Sequence, residues 1–299
     1  MTSRSMGESS SRPFALRPLS PDDVPAALGL CRQAGWNQTE EDWRMFLTLA
    51  PDTCRAACVN GRLVGTVTVL PYGSFAWIGM VLVDESVRGQ GLGTALLQEA
   101  LAIVGPERAA CLDATPLGRP VYTRLDFRAD GELHRLERPA GRDEPMDAPP
   151  LDAAGPPTLR PWRPDDLSAI ARWDRDVFGA DRSLLLSRCA RRAPHLAWIA
   201  ETAGETAGYV LGRSGHDFDH IGPLVARSVD VATALVAAAL TRVSRPSVLD
   251  VPAGRSGFLE WLRAVGFRVQ RPFTRMSRGP ERSPVMPDTL FAVLGPEFG

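Results

Sequence analysis

Lysine is missing from the sequence, and histidine and tyrosine are scarce, so few side chains are available for acid–base or phosphate chemistry. Each of the 34 basic residues is an arginine, and any basic contact to a phosphate must therefore come from a guanidinium. The formal net charge of −1 contains no long run of one sign. This balance gives no indication of a nucleic-acid-binding surface, and we expect no nucleic acid among the partners.

Cysteine pairs and long apolar runs are also lacking. The five cysteines are scattered and include no Cys-x-x-Cys motif, which fits a reduced compartment. Residues 1–12 are polar and serine-rich, without the apolar core of a signal peptide. No apolar run approaches the length of a membrane span. We therefore expect a soluble, cytoplasmic protein that does not contact a membrane.

What the sequence does contain is an internal repeat. Short motifs of the first part of the chain return in the same order and register in the second: Leu16-Arg17-Pro18 with Leu159-Arg160-Pro161, Pro21-Asp22-Asp23 with Pro164-Asp165-Asp166, Gly65 with Gly208, and Ile78-Gly79 with Ile221-Gly222. Self-similarity with so long a period predicts two copies of one domain.

The composition between the copies indicates where the domains end. A stretch rich in Pro, Gly, Ala and Asp, without apolar periodicity, is typical of a linker. We predict an N-terminal tail at 1–13, a first domain at 14–138, a linker at 139–157 and a second domain at 158–278. The remainder, 279–299, is too apolar to be a free tail, and we expect it to dock onto one of the domains.

Within the first copy, apolar patterns and turn signals predict a mixed α/β domain. A helix should follow the cap signal Ser20-Pro21-Asp22-Asp23, and Thr39 and Asp42 are spaced like a capping box. Asn60-Gly61 predicts a hairpin turn. The predicted strands are 14–19, 54–59, 63–70, 76–83 and 108–114, and the later helices are 39–49 and 93–103.

A glycine-rich turn follows the apolar strand 76–83 and leads into a helix. Gly89, Gly91 and Gly93 allow a tight turn and a close approach to a ligand, and the free N–H groups at a helix N-terminus favour a phosphate. A plain strand-to-helix turn is the simpler alternative, but it would not need three glycines. A nucleoside-triphosphate loop requires lysine and is excluded. A dinucleotide fingerprint stays open on spacing, although Thr94 replaces its third glycine and the strand follows a hairpin.

The pattern Arg88-x-x-Gly91-x-Gly93 after an apolar strand resembles the GNAT superfamily of N-acetyltransferases. Downstream, these enzymes commonly have Asn, Ala, Tyr, Gly and Phe at a fixed spacing. At those places this chain has Thr115, Gly118, Tyr122, Asp126 and Phe127. The resemblance runs through residues 14–138. Together with the internal repeat, it implies two tandem domains, each with a mixed, mostly antiparallel twisted sheet flanked by helices.

The resemblance also implies an activity. Acetyl-CoA would donate its acetyl group directly to the primary amine of a small molecule or peptide, without a metal, in a monomer or a homodimer. Tyr122 would protonate the leaving thiolate, and strand residues 81–83 would offer backbone N–H groups to the thioester oxygen. The residues expected to hold the cofactor are Val81, Leu82, Val83, Arg88, Gly89, Gln90, Gly91, Leu92, Gly93, Thr94 and Thr115.

Two questions stay open at this level. The base that takes the proton of the amine could be one of four carboxylates or a chain of waters; the carboxylates are Glu41, Asp84, Glu85 and Asp113. The activity could also be non-catalytic sensing of acetyl-CoA, or the transfer of a longer acyl group.

The second copy has lost the features of a donor site. The connection after its apolar strand is shorter, 227–232 contains no glycine, and Leu262 falls where the first copy has Tyr122. We expect this copy to wall the acceptor cleft without catalysing. A cluster of histidines and aspartates at 216–220 is typical of a polar loop, with a metal site or a cleft-facing His220 as alternatives.

Overall fold

The computed structural model describes residues 14–141, 156–280 and 286–299. The predicted tail at 1–13, most of the predicted linker, and residues 281–285 lie outside the described residues. The first half of the chain forms six strands and four helices: β1 (Ala15–Pro18), α1 (Val24–Gln33), α2 (Glu40–Leu49), β2 (Arg55–Val59), β3 (Arg62–Tyr72), β4 (Phe75–Val83), α3 (Leu92–Val104), β5 (Ala109–Ala114), α4 (Arg119–Thr123) and β6 (Arg128–Arg138).

These elements confirm the predicted strands and helices of the first half closely. The capping box at the start of α2 is present, with Thr39 and Asp42 bonded reciprocally. Asn60 and Gly61 both have positive φ, 49° and 78°, as a two-residue hairpin turn requires.

The second half repeats the order of the first and adds one strand. Its elements are β7 (Thr158–Pro161), α5 (Leu167–Phe178), α6 (Ser183–Arg192), β8 (Trp198–Thr202), β9 (Glu205–Ser214), β10 (Asp219–Ala226), α7 (Val229–Leu240), β11 (Ser247–Pro252), α8 (Ser256–Ala264), β12 (Arg268–Arg278) and β13 (Leu290–Ala292). Among the described residues, no helix has the length and hydropathy of a membrane span.

The repeated sequence motif encodes the same ion pair in both halves. Arg17 donates to both carboxylate oxygens of Asp23 at 2.6 and 2.7 Å, and Arg160 bonds Asp166 in the same way at 2.8 Å. In each half, the aspartate also accepts from a backbone N–H three residues earlier. The pair therefore ties the first strand of each half to the turn that starts the next helix.

The two halves share one sheet, because they exchange β6 and β12. The strand order is β1-β2-β3-β4-β5-β12-β6-β11-β10-β9-β8-β7, with β13 paired to β10. Strand β12 of the second half thus lies between β5 and β6, and β6 of the first half pairs with β11. The predicted tandem arrangement of mixed α/β units is confirmed, but no sequence pattern indicated the exchange, since either strand could have paired within its own copy.

Helices cover both faces of this sheet. One apolar cluster packs α1, α2, α5 and α6 against a single face and so joins the two halves. Separate clusters lie beneath α3 in the first half and beneath α7 and α8 in the second. The C-terminal residues belong to the apolar cluster that joins the two halves, which we call the joint cluster. The Phe298 ring stacks on that of Phe46 with ring centroids 4.5 Å apart, and Trp77 Nε1 donates to the carbonyl of Pro296 at 2.8 Å. The last residues of the second half therefore lie on the first half.

Candidate active site

A bulge in β4 opens the sheet at the centre of the first half. Met80 has a positive φ of 51°, the register of β4 against β3 shifts beside it, and Thr66 Oγ1 donates to its carbonyl at 2.8 Å. In the described structure, the parallel pairing of β4 with β5 ends at Trp77 and Cys111. Beyond this point the two strands diverge, and we call the space between them the donor cleft.

The glycine turn (residues 88–94) lies at the carboxyl end of β4, at the mouth of the donor cleft. Gly89 and Gly91 have φ values of 77° and 80°, in the left-handed region that glycine adopts most readily. Gly91 caps α3, and the first intrahelical bond runs from the Ala95 N–H to the Gly91 carbonyl at 3.0 Å. The preceding N–H groups of the helix have no intrahelical acceptor and can bind an anion.

Arg88 is held across the base of this turn. Its Nε donates to the carbonyl of Val83 at 3.1 Å, and its Nη1 lies 3.2 Å from Glu85. The side chain stays partly exposed, so it contributes positive charge to the mouth of the cleft.

A single cavity of about 860 Å³ joins the donor cleft, the glycine turn and helix α4, which follows β5. Most of the residues predicted to hold the cofactor line it, together with the predicted acid: Val81, Leu82, Val83, Arg88, Gly89, Gly91, Leu92, Gly93, Thr94, Thr115 and Tyr122. Gln90 is exposed and does not line the cavity. The tertiary structure thus brings together residues that the sequence predicts to form one site.

Tyr122 projects from α4 into the cavity. Its ring packs edge-on against Phe127, with ring centroids 5.9 Å apart, and no described residue hydrogen-bonds to its hydroxyl. Burial raises the pKa of Tyr122 to about 12, because the apolar surroundings disfavour the charged phenolate. The group therefore stays protonated at neutral pH and has a free O–H to donate.

The departures from the GNAT pattern around Tyr122 have local structural reasons. A Cβ at Gly118 would lie 2.9 Å from Tyr122 Cε2, so an alanine there would require the ring to shift. Thr115 Oγ1 accepts from the Gly118 N–H at 3.1 Å and holds the turn that enters α4. Asp126 has a φ of 63°, where the family has glycine and where a short polar residue is tolerated.

The four carboxylates considered as bases are all engaged. Asp113 receives a bidentate contact from Arg275, with both distances 2.9 Å. Asp84 accepts from Ser86, which lowers the pKa of the aspartate. Glu85 and Glu41 are exposed and lie near Arg88 and Arg192. Of the four, Asp113 alone lines the cavity.

The opposite wall of the cavity comes from residues that the sequence did not single out. They are Trp36 and Gln38 between α1 and α2, Arg135 on β6, Arg271 and Phe273 on β12, and Pro296 and Glu297 near the C-terminus. The strand exchange places β12 here, and the C-terminal segment adds Glu297. Glu297 is 4% exposed, pairs with Arg213, and accepts from Gln38 Nε2 at 2.8 Å.

In the second half, the equivalent cleft is filled by the chain itself. Strands β10 and β11 pair only near His220 and Val248, and β13 then pairs with β10 through Leu224 and Ala292. Ser228 caps α7 with its own side chain, accepting from the Val231 N–H at 3.3 Å. Backbone and side-chain groups of this chain thus take the positions that the first half leaves open.

The segment 216–220 docks the second half onto the first. Asn37 Oδ1 accepts from the N–H groups of Asp217 and Phe218 at 2.9 and 3.0 Å. His220 is buried, bonds Asp250 at 3.1 Å, and does not line the cavity. Among the described residues, no group of three or more His, Cys, Asp or Glu side chains is placed to hold a metal ion.

Comparisons with known proteins agree with this arrangement. A model described as acetyltransferase (GNAT) family matches residues 24–127, and one described as acetyltransferase (GNAT) domain matches residues 170–292. The chain is 24% identical over 283 residues to the uncharacterized N-acetyltransferase YitH of Bacillus subtilis, covering 94% of this chain and 97% of that protein.

Solved structures share the fold along most of the chain. A putative acetyltransferase from Pyrococcus horikoshii superposes with a TM-score of 0.77 at 22% identity, covering 99% of both chains. A tandem GNAT protein from the clavulanic acid biosynthesis pathway gives a TM-score of 0.64 at 17% identity, covering 90% of this chain and 99% of the other. With a GNAT match in each half and a relative aligned along nearly its whole length, the chain is a GNAT-type N-acetyltransferase built of two tandem GNAT units.

Proposed function

We propose that the first half transfers the acetyl group of acetyl-CoA to the primary amine of a small molecule or peptide. The observation that supports this most directly is the single cavity that joins the glycine turn, the diverging strands and the free hydroxyl of Tyr122. A diphosphate at the turn, a thioester between β4 and β5, and an acid beside the sulfur would then form one connected path.

The described residues fit such a donor. The free N–H groups at the start of α3 and the guanidinium of Arg88 supply positive electrostatic potential for the diphosphate. The unpaired edge of β4 beyond Trp77 offers backbone groups to the pantetheine arm and to the thioester oxygen. The apolar side chains Val81, Leu97 and Leu112 line the same path and exclude water.

Acetyl-CoA supplies an activated acetyl thioester. The nitrogen lone pair of the acceptor forms the new C–N bond while the C–S bond breaks. Tyr122 donates its hydroxyl proton to the departing sulfur, and the surplus proton on nitrogen passes to solvent, from which Tyr122 is reprotonated. Since the amine attacks directly, no covalent link to the protein forms.

The second half has a supporting role in this proposal. Its cleft is filled by β13, whereas β12 and the C-terminal segment complete the wall of the cavity in the first half. One donor would therefore bind per chain.

A substitution at Gly91 tests the donor site. Gly91→Val forces a β-branched residue into left-handed backbone and displaces the N–H groups of the turn. We expect acetyl-CoA binding to weaken by at least about tenfold, since one charge-assisted hydrogen bond contributes about 1.5–3 kcal/mol. Isothermal titration of acetyl-CoA into the purified protein measures this directly.

Gly179→Val is the matched control. Gly179 has left-handed backbone like that of Gly91, with φ 90° and ψ 3° against 80° and 1°, and it is exposed at the end of α5, away from the cavity. It carries a similar backbone strain and should keep the wild-type affinity. Equal weakening in both variants, or no binding by the wild-type protein, would contradict the proposed donor site. Binding without release of thiol in the presence of any amine of a broad panel would instead support a sensor.

A further inference from the structure

Two buried polar atoms in the cavity wall lack hydrogen-bond partners among the described residues. One is Gln38 Oε1, an acceptor, and the other is Arg271 Nε, a donor. Both lie on the wall opposite the glycine turn. A buried polar atom without a partner costs free energy, so an unsatisfied pair in one cavity points to a ligand with complementary groups.

The orientation of Gln38 is fixed by its neighbour. Gln38 is 5% exposed, and one end of its amide contacts Glu297 Oε1 at 2.8 Å. Since a carboxylate only accepts, the end that faces it must be the NH₂ group. The carbonyl oxygen is therefore the free atom, and it requires a donor such as the N–H of an amine.

Arg271 is the uncompensated cation of this wall. Its guanidinium lies 5.2 Å from the centre of the Phe273 ring, and no described carboxylate lies within ion-pair distance of it. The carboxylates nearby are committed to other arginines: Asp250 to Arg135 at 2.7 Å, Asp113 to Arg275, and Glu297 to Arg213.

The surroundings of Arg271 make an anion favourable there. Burial, with Arg135 alongside, lowers the pKa of Arg271 to about 10, so the group is still charged at neutral pH but poorly compensated. A planar guanidinium with a free Nε–H matches the two oxygens of a carboxylate.

We propose that the acceptor is an amine that also carries a carboxylate, with the carboxylate bound by Arg271 and the amine held at Gln38 and Glu297. This inference rests on the proposed acetyl transfer and names its substrate class. The acceptor end is built from both halves, since Gln38 comes from the first and Arg271 from the exchanged strand β12. The strand exchange is then what gives the active half its specificity.

A panel of matched acceptors tests the inference. Each set contains an amino carboxylate, the same skeleton with the carboxylate replaced by an amide, and an aminoalkyl phosphate of similar length. Thiol release with acetyl-CoA gives kcat/KM for each. We expect the amino carboxylate to exceed its amide by about 10- to 100-fold, as a charge-assisted pair would supply. A preference for the phosphate, or equal use of acid and amide, overturns the carboxylate assignment.

Arg271→Gln provides the second arm. It should lower kcat/KM for the acid by about 10- to 100-fold and so abolish the preference for the acid, and Arg271→Lys should restore part of the preference. Arg268→Gln, on the same strand but exposed and outside the cavity, is the matched control.

The readouts separate the two proposals. If acetyl-CoA does not bind, the proposed function fails. If acetyl-CoA binds but no amino carboxylate is acetylated, or Arg271→Gln lowers acid and amide turnover alike, the inference about the acceptor is wrong while the donor site stands.

Discussion

At the scale of single residues, the geometry around Tyr122 explains both its suitability as an acid and the unusual residues near it. The ring lies close to Gly118, where a Cβ would be 2.9 Å from Tyr122 Cε2. The hydroxyl has no hydrogen-bond partner among the described residues. Asp126 takes a left-handed conformation at the end of α4. The chain thus departs from the GNAT residue pattern at two kinds of position. At Asp126 the backbone accepts the change, and at Gly118 the tyrosine ring leaves little room for a Cβ.

Replacement of the Tyr122 hydroxyl should affect the chemical step alone. In Tyr122→Phe we expect kcat to fall by about 10²–10⁴-fold, the usual contribution of a positioned proton donor. The affinity for acetyl-CoA should stay within about twofold, because the ring remains in place. Steady-state thiol release and calorimetric titration measure the two quantities.

The pH profile offers an independent check of the same role. With the pKa of Tyr122 raised to about 12, the group stays protonated over the working range, so no alkaline loss of activity should arise from it below about pH 11. An unchanged kcat in Tyr122→Phe would show that the sulfur is protonated by another group.

At the scale of elements, the repeat identified in the sequence is a structural device rather than a catalytic one. The Arg17–Asp23 and Arg160–Asp166 pairs each join an edge strand to the turn before a helix. Such a pair needs only residues close in sequence, which is why it was visible in the sequence as a motif.

The pair in the first half predicts a dependence of stability on pH. The hydrogen bonds from Arg17 lower the pKa of Asp23 to about 2. Because the folded-state pKa lies below the unfolded value of about 4, the ionised carboxylate stabilises the fold above about pH 4. This contribution is lost as the pH falls toward 2. Asp23→Asn should therefore cost about 1 kcal/mol at pH 7, allowing for screening at the half-exposed Arg17.

Urea unfolding at a series of pH values measures this difference. The gap between wild type and Asp23→Asn should shrink from pH 5 to pH 2, and Asp166→Asn should behave alike in the second half. A gap that is constant with pH would mean that the carboxylate charge contributes nothing.

At the scale of the whole molecule, the exchanged strands make the two halves interdependent. Strand β12 pairs with both β5 and β6, and β6 with β11. The joint apolar cluster of α1, α2, α5 and α6 adds a second shared surface. In the observed pairing, each half therefore depends on a strand of the other.

Thermal unfolding of the full chain should accordingly show one cooperative transition. A fragment of residues 14–141 would leave the facing edges of β5 and β6 without their partner strand and expose the joint cluster. We expect it to unfold at least about 10 °C lower or to associate, and co-expression with 156–299 to restore the transition. Circular dichroism with size-exclusion chromatography provides the measurement. A monomeric fragment as stable as the full chain would contradict the interdependence.

The sequence determined the local features of this protein: the element order, the caps, the repeat, the glycine turn before α3 and the position of Tyr122. These depend on contacts between residues near each other along the chain, so patterns of a few residues encode them. It also indicated that the second half lacks the glycine turn, since 227–232 contains no glycine.

Only the tertiary structure shows which strands are exchanged, what fills the second cleft and which residues form the cavity wall opposite the glycine turn. Gln38, Arg271 and Glu297 are remote from one another in sequence and meet in the wall of the cavity because β12 inserts between β5 and β6 and the C-terminal segment docks across β4. Strand pairing depends on backbone groups that every residue carries, and a sequence pattern therefore does not specify its partner.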